Sequence, residues 1–252
     1  MAKESSTRLN WLDTLRGVVI ILMILYHTCW DLVYIYGMSI GWFSSKSGFV
    51  LQQIICFGFI LIAGYSVHLG SHGLRHGLVV FGAGIVVTLV TLVFLPSVPI
   101  YIGVLTFIGS AVLLATVLSS VLNKMSPVLG MVIYLILFLL FRNVNQGYLG
   151  FFGIPVATLS GGLYKNWLTT YLGFPFPGFH SSDYFSLLPW IFLFLVGYYF
   201  YSLTKNTLAK TREKIGPWGA VSFMGRHSLI IYMLHQVVIY MVLDLLHLIN
   251  VI

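Results

Sequence analysis

Long apolar runs separated by short polar stretches set the pattern of this chain. Seven runs are long enough, or nearly so, to cross a bilayer as helices. They lie at roughly 17–37, 49–69, 78–95, 101–122, 128–141, 187–204 and 226–248. The fifth is the shortest and can borrow residues from either side. The pattern predicts an all-α polytopic bundle of about seven transmembrane helices, or six to eight and more once re-entrant pieces are counted. Repeats and low-complexity tracts are lacking, so residues 1–252 are expected to form a single membrane domain. Within it, 142–186 is rich in Gly, Pro and aromatic residues and suits no regular lipid-exposed helix. It is expected to be an extracytoplasmic or re-entrant connection of short helical pieces and turns, shielded by protein.

Composition agrees with the pattern. The chain is 59% hydrophobic and 8% charged, where a soluble domain carries roughly a quarter charged residues. Its mean hydropathy is +0.97. The net charge of +7 would suggest nucleic acid in a soluble chain, but here the charges sit at the ends of apolar runs, and no nucleic-acid partner is expected. With a cytoplasmic N-terminus, the inner side receives Lys3, Arg8, Arg16, Arg75, Lys124, Lys205, Lys210, Arg212, Lys214 and Arg226. The outer side receives Lys46, Arg142 and Lys165. That bias follows the positive-inside rule through every short loop. Cys29 and Cys56 lie inside apolar runs without ligand spacing and read as small hydrophobes. The first 16 residues are too polar and too long for a signal-peptide n-region, so the first run is expected to stay as a span.

Against this background the polar residues inside the runs stand out. ILMILYHTCWDLVY (21–34) carries His27 and, four residues on, Asp31. His27 lies about 22 Å along a helix from Leu12, at ~1.5 Å per residue, which places it in the outer half of the membrane. Asp31 shares its face one turn further out. Ionisable groups in a span mark a functional site by default, and a carboxylate can orient a histidine that accepts a substrate proton. A plain interhelical hydrogen bond for His27, and a solvated or capping Asp31, also fit. His235 and Gln236 fall near mid-membrane in the last run, where His235 could meet His27. Asp183 and Tyr184 precede the sixth run and could face a pocket; Asp183 equally fits an N-cap for a helix starting at Tyr184. Gln52 and Gln53 open the second run, as pocket or interfacial residues. Arg16, Arg75, Lys124 and Arg226 stand at cytoplasmic helix ends, where they set topology or hold the phosphates of a nucleotide-bearing donor. The histidines of VHLGSHGLRHG (67–77) lack a nearby carboxylate, and no metal is expected.

RLNWLDTLRGVVIILMILYH (8–27) resembles the opening of the transmembrane acyltransferase superfamily. The pieces FGFILIAGYS (57–66), the Arg75 element, YIGVLTFIGSAVLL (101–114), DYFSLLPWIFLFLVGYYF (183–200) and GRHSLIIYMLHQ (225–236) are similar to bacterial relatives of heparan-alpha-glucosaminide N-acetyltransferase. They cover nearly the whole length in order. The resemblance implies acetyl-CoA as donor substrate, donor-side roles for Arg16, Arg75 and Arg226, His27 at the reaction centre and His235 on the cavity wall. The animal enzyme of that family has an asparagine at the position of His27 and its proposed catalytic histidine in the following loop. The corresponding segment here, 36–48, has no histidine, so acyltransferases with a histidine late in the first helix are the better guide to mechanism. The glycan-amine substrate is not carried over.

The expected function is a membrane-bound acetyltransferase moving an acetyl group from cytosolic acetyl-CoA to an extracytoplasmic hydroxyl or amine, on a saccharide-like acceptor. His27 is the expected general base, with Asp31 and His235 beside it and Gln52, Gln53, Asp183, Tyr184 and Gln236 lining the acceptor pocket. Lys124 joins the arginines on the donor side. Partners are bilayer lipid, acetyl-CoA and the acceptor, with homodimerisation left open, in a bacterial cell membrane. A proton-coupled transporter or channel and a non-catalytic envelope assembly partner are the competing classes.

Overall fold

The computed structural model describes residues 9–211 and 219–249, with side chains of the first stretch through Thr207. Of the basic residues used above for orientation, Lys3, Arg8, Arg212 and Lys214 lie outside the described residues, as does the side chain of Lys210. The helices are α1 (Asn10–Tyr34), α2 (Lys46–Ser66), α3 (Gly73–Phe94), α4 (Val104–Val117), α5 (Ser119–Leu122), α6 (Pro127–Phe141), α7 (Trp167–Leu172), α8 (Leu187–Thr211), α9 (Gly219–Arg226) and α10 (Ser228–Leu248). Among the described residues, six helices are long and apolar enough to span a membrane: α1, α2 with its 3₁₀ extension to Leu69, α3, α6 extended to Gln146, α8 to Thr207, and α10. The protein is a multi-pass integral membrane protein.

The expected fourth span, 101–122, is where the count departs from seven. Only α4 is continuous there, with 14 residues, or ~21 Å at 1.5 Å per residue against a hydrocarbon layer of ~30 Å. It ends at Leu118, and the four-residue α5 follows as a separate turn. Val104, Leu105, Phe107, Gly109, Ala111, Val112 and Ala115 are all buried in protein, so α4 is an internal helix whose apolar composition mimics a lipid-facing one.

The chain divides into two compact units, one containing residues up to Phe59 and from Thr207 onward, the other Ile60–Asn206. In the first, α1 meets α9 and α10. Gly17 and Gly225 let the α1 and α9 backbones touch: a Cβ at Gly17 would overlap the Val221 carbonyl, and one at Gly225 the Asp13 carbonyl. Such close approach is what small residues allow between membrane helices. Thr14 and Ser222 share a hydroxyl hydrogen bond of 2.7 Å at this seam. Further along, His27 pairs with His235, Asp31 with Gln236 and Tyr36 with Asp244. The partners rise together in number, so α1 and α10 run parallel.

In the second unit, α2 and α8 pack through Gly64 and Gly197, where added Cβ atoms would overlap the Phe194 and Leu61 carbonyls. Local chemistry sets the helix starts. Ser126 caps α6, accepting from the Leu129 amide at 3.3 Å with Pro127 at the first helical position. Asn166 and Thr169 form a capping box for α7. The 142–186 connection contains α7 and 3₁₀ turns, as expected, and also an antiparallel hairpin, β1 (Tyr148–Phe151) with β2 (Ile154–Thr158). Phe152 and Gly153 close it with φ of 52° and 86°. Two positive φ values are what a type I′ hairpin turn needs, and glycine takes the second at no steric cost.

Replacing Gly64 by Ala should force the α2 and α8 backbones apart and lower the thermal midpoint in detergent, the overpacking cost being about 1–3 kcal/mol. Gly82, beside which a Cβ would meet nothing within 4 Å, is the control, and G82A should leave the midpoint unchanged or raise it slightly. Equal midpoints for the two variants would show that the α2–α8 seam tolerates separation.

Candidate functional site

The first unit brings together four of the residues singled out from the sequence. α1 contributes His27 and Asp31; α10 contributes His235 and Gln236. The imidazole rings of His27 and His235 lie 4.9 Å apart between centroids, inclined at 57°. Tyr26 meets His27 edge-on at 5.8 Å, and Phe59 meets Tyr232 edge-on at 6.0 Å. The histidine pair thus has aromatic neighbours on both helices.

Asp31 is fully buried, with 0% exposure. Its carboxylate accepts from the Gln236 Nε2 amide at 3.0 and 2.8 Å, one bond to each oxygen. Asp31 therefore meets Gln236 rather than His27, although spacing puts His27 and Asp31 on one helical face. Residues four apart share a face, but which group each reaches is decided by the helix opposite. With Nε2 engaged, the Gln236 Oε1 is buried without a hydrogen-bond partner.

The state of His235 follows from its neighbour. Nδ1 lies against the Tyr232 carbonyl of the preceding turn. A carbonyl only accepts, so in this bond Nδ1 carries the proton, and in the neutral form of the ring the lone pair is at Nε2. That Nε2 is buried and has no hydrogen-bond partner. His235 Nε2 and Gln236 Oε1 are thus two acceptors on successive residues, waiting for donors. No hydrogen bond engages His27 among the described residues.

At the end of this helix pair, Tyr36 donates to the Asp244 carboxylate at 2.5 Å, with His247 5.5 Å from the Tyr36 ring. The carboxylate pushes the Tyr36 phenol up to about 12, so it stays a neutral donor. Sequence reading missed this pair. Its signal was Asp244, eight residues after Gln236 in the last span and one of only six acidic residues.

The other candidates lie elsewhere. Gln52 and Gln53 are half-buried near the start of α2. Arg16 is tied to buried Asp13 at 3.1 Å, and Arg226 donates through Nε to the Ser222 carbonyl at 3.3 Å. Both belong to the first unit, whereas exposed Arg75 and Lys124 belong to the second. Asp183 caps α4: its Oδ2 accepts from the Val104 amide at 3.3 Å, rather than capping a helix at Tyr184. Tyr184 donates its hydroxyl to the Thr170 carbonyl, and burial pushes its phenol up to about 12. In the second unit these two residues hold the connection onto α4 and α7.

A helical membrane protein with a half-buried histidine pair and unpartnered acceptors is the class that fold and site define. The heparan-alpha-glucosaminide N-acetyltransferase catalytic family model matches residues 8–237, and the chain belongs to that family. Membership supports an acetyltransferase-type activity. Comparison with curated proteins and with solved structures gives no match.

A double-mutant cycle on Asp31 and Gln236 should show coupling. Asp31→Ala alone leaves a buried amide unsatisfied and should destabilise by about 1–3 kcal/mol. The double variant D31A/Q236A should lose less than the sum of the two single losses. Strict additivity in thermal unfolding would mean that the bond contributes nothing.

Proposed function

We propose that the protein transfers an acetyl group from cytosolic acetyl-CoA to a hydroxyl or amine presented from the opposite side of the membrane, on a saccharide-like acceptor, with the N-terminus in the cytoplasm. The observation that carries this reading is the half-buried His27–His235 pair with a buried, unpartnered His235 Nε2, in a chain whose family is an acetyltransferase family. The positive-inside bias supports the orientation.

In the proposed reaction the acceptor's O–H or N–H proton passes to a histidine as its oxygen or nitrogen attacks the thioester carbonyl. The tautomer argument favours His235 Nε2 for that proton, a change from the expectation that His27 would take it. A ring N–H of His27 is then suited to the developing oxyanion. Collapse breaks the carbon–sulfur bond. The imidazolium returns its proton to the departing thiolate, so acetylated acceptor and CoA thiol leave and the histidine is neutral again. Gln236 Oε1 accepts a further hydrogen bond from the acceptor. Asp31 acts through Gln236 as a positioning residue, holding the amide so that its oxygen faces away from the carboxylate. Arg16 and Arg226 offer positive charge for the donor's phosphates.

Purified protein should bind radiolabelled acetyl-CoA saturably and transfer label to saccharides of a cell lysate. His235→Gln should cut transfer by ~10²–10⁴-fold, the usual worth of general-base catalysis, with donor binding retained. Arg16→Ala and Arg226→Ala should weaken donor binding instead. Near-normal transfer by H235Q with loss in His27→Gln would return the base role to His27. A folded protein that binds no acetyl-CoA would sink the reading.

A further inference from the structure

The β1–β2 hairpin has an arrangement that acetyl transfer does not explain. It begins at Tyr148, with Gly147 alone between it and the span that ends at Gln146, and β1 packs back against α6, the helix of that span. The hairpin therefore lies alongside a membrane-spanning helix. β1 is partly covered, with Gly150 buried, while all five residues of β2 are exposed. What it exposes is apolar: Phe152 at 89%, Ile154 at 70% and Val156 at 67%. Between Arg142 and Lys165 the sequence has no charged residue.

We propose that this hairpin is an interfacial anchor, with Phe152, Ile154 and Val156 inserted among the lipid headgroups and first acyl carbons beside α6. Two constraints fix the depth. The exposed apolar side chains disfavour open water, and the fold-back onto α6 keeps them beside a span. The outer edge of β2 carries backbone groups that hydrocarbon cannot satisfy, so the hairpin stops at the polar layer, where water reaches them. Pro155 removes one donor from that strand. Arg142, at the end of α6, stacks its guanidinium 4.8 Å from the Trp190 ring and 5.7 Å from that of Phe138. A cation resting on aromatic rings at a helix end matches the same interfacial level. The occupant is thus a lipid surface, and the inference rests on the span assignment, independent of the acetyltransferase reading.

Spin labels test it on the full chain in phosphatidylethanolamine–phosphatidylglycerol nanodiscs. With Cys29→Ala and Cys56→Ala as background, Phe152→Cys and Val156→Cys carry the label, and Lys165→Cys serves as the aqueous reference. Oxygen, which concentrates in lipid, should relax the labels at 152 and 156 more strongly than a water-soluble nickel chelate, with the reverse at 165. Dominance of the nickel chelate at 152 and 156 would overturn the proposal. So would exclusion of both reagents with dipolar broadening, which would mean that a second copy covers the strand. A second variant guards against label artefacts: Phe152→Asp should lower the thermal midpoint in nanodiscs more than the same variant does in detergent. An equal effect in both would overturn the anchor.

Discussion

A carboxylate removed from water has to be met by donors, because an uncompensated buried charge costs several kcal/mol or more. Asp31 meets this constraint with one side chain, the Gln236 amide on α10, and much of the first unit's arrangement follows. The bond fixes the register of α1 against α10, and that register brings His27 opposite His235. It also settles which end of the Gln236 amide is used up, and so leaves its buried oxygen without a donor. The tautomer of His235 is set separately, by a carbonyl of its own helix.

The two units solve the problem of helix association in the same way but with different partners. Where hydrocarbon surrounds the protein, apolar burial gives helices little reason to prefer each other over lipid. Gly17 with Gly225 in one unit, and Gly64 with Gly197 in the other, replace that missing drive with backbone contact. The hydroxyl pair Thr14–Ser222 adds direction to the first of these seams.

The long spans were legible because about twenty apolar residues in a row have few other readings. α4 was not, since burial by protein and burial by lipid select the same residue types. The hairpin was hidden for a related reason: YLGFFGIPVAT is apolar on both faces and lacks the alternation that marks a half-buried strand. For the site, His27, Asp31, His235 and Gln236 announced themselves as polar groups where hydrocarbon was expected. Their pairing did not, because spacing reports a shared face and says nothing of the helix across from it. Asp183 shows the same limit, since the amide it caps lies 79 residues earlier in the chain.

Tyr36 and Asp244 close one end of the α1–α10 pair, and Thr14 with Ser222 ties the α1–α9 hook near the other. The histidines lie between, like the midpoint of a beam pinned at both supports. Such a seam resists splaying, so the spacing between the two imidazoles is held by contacts that lie well away from either ring.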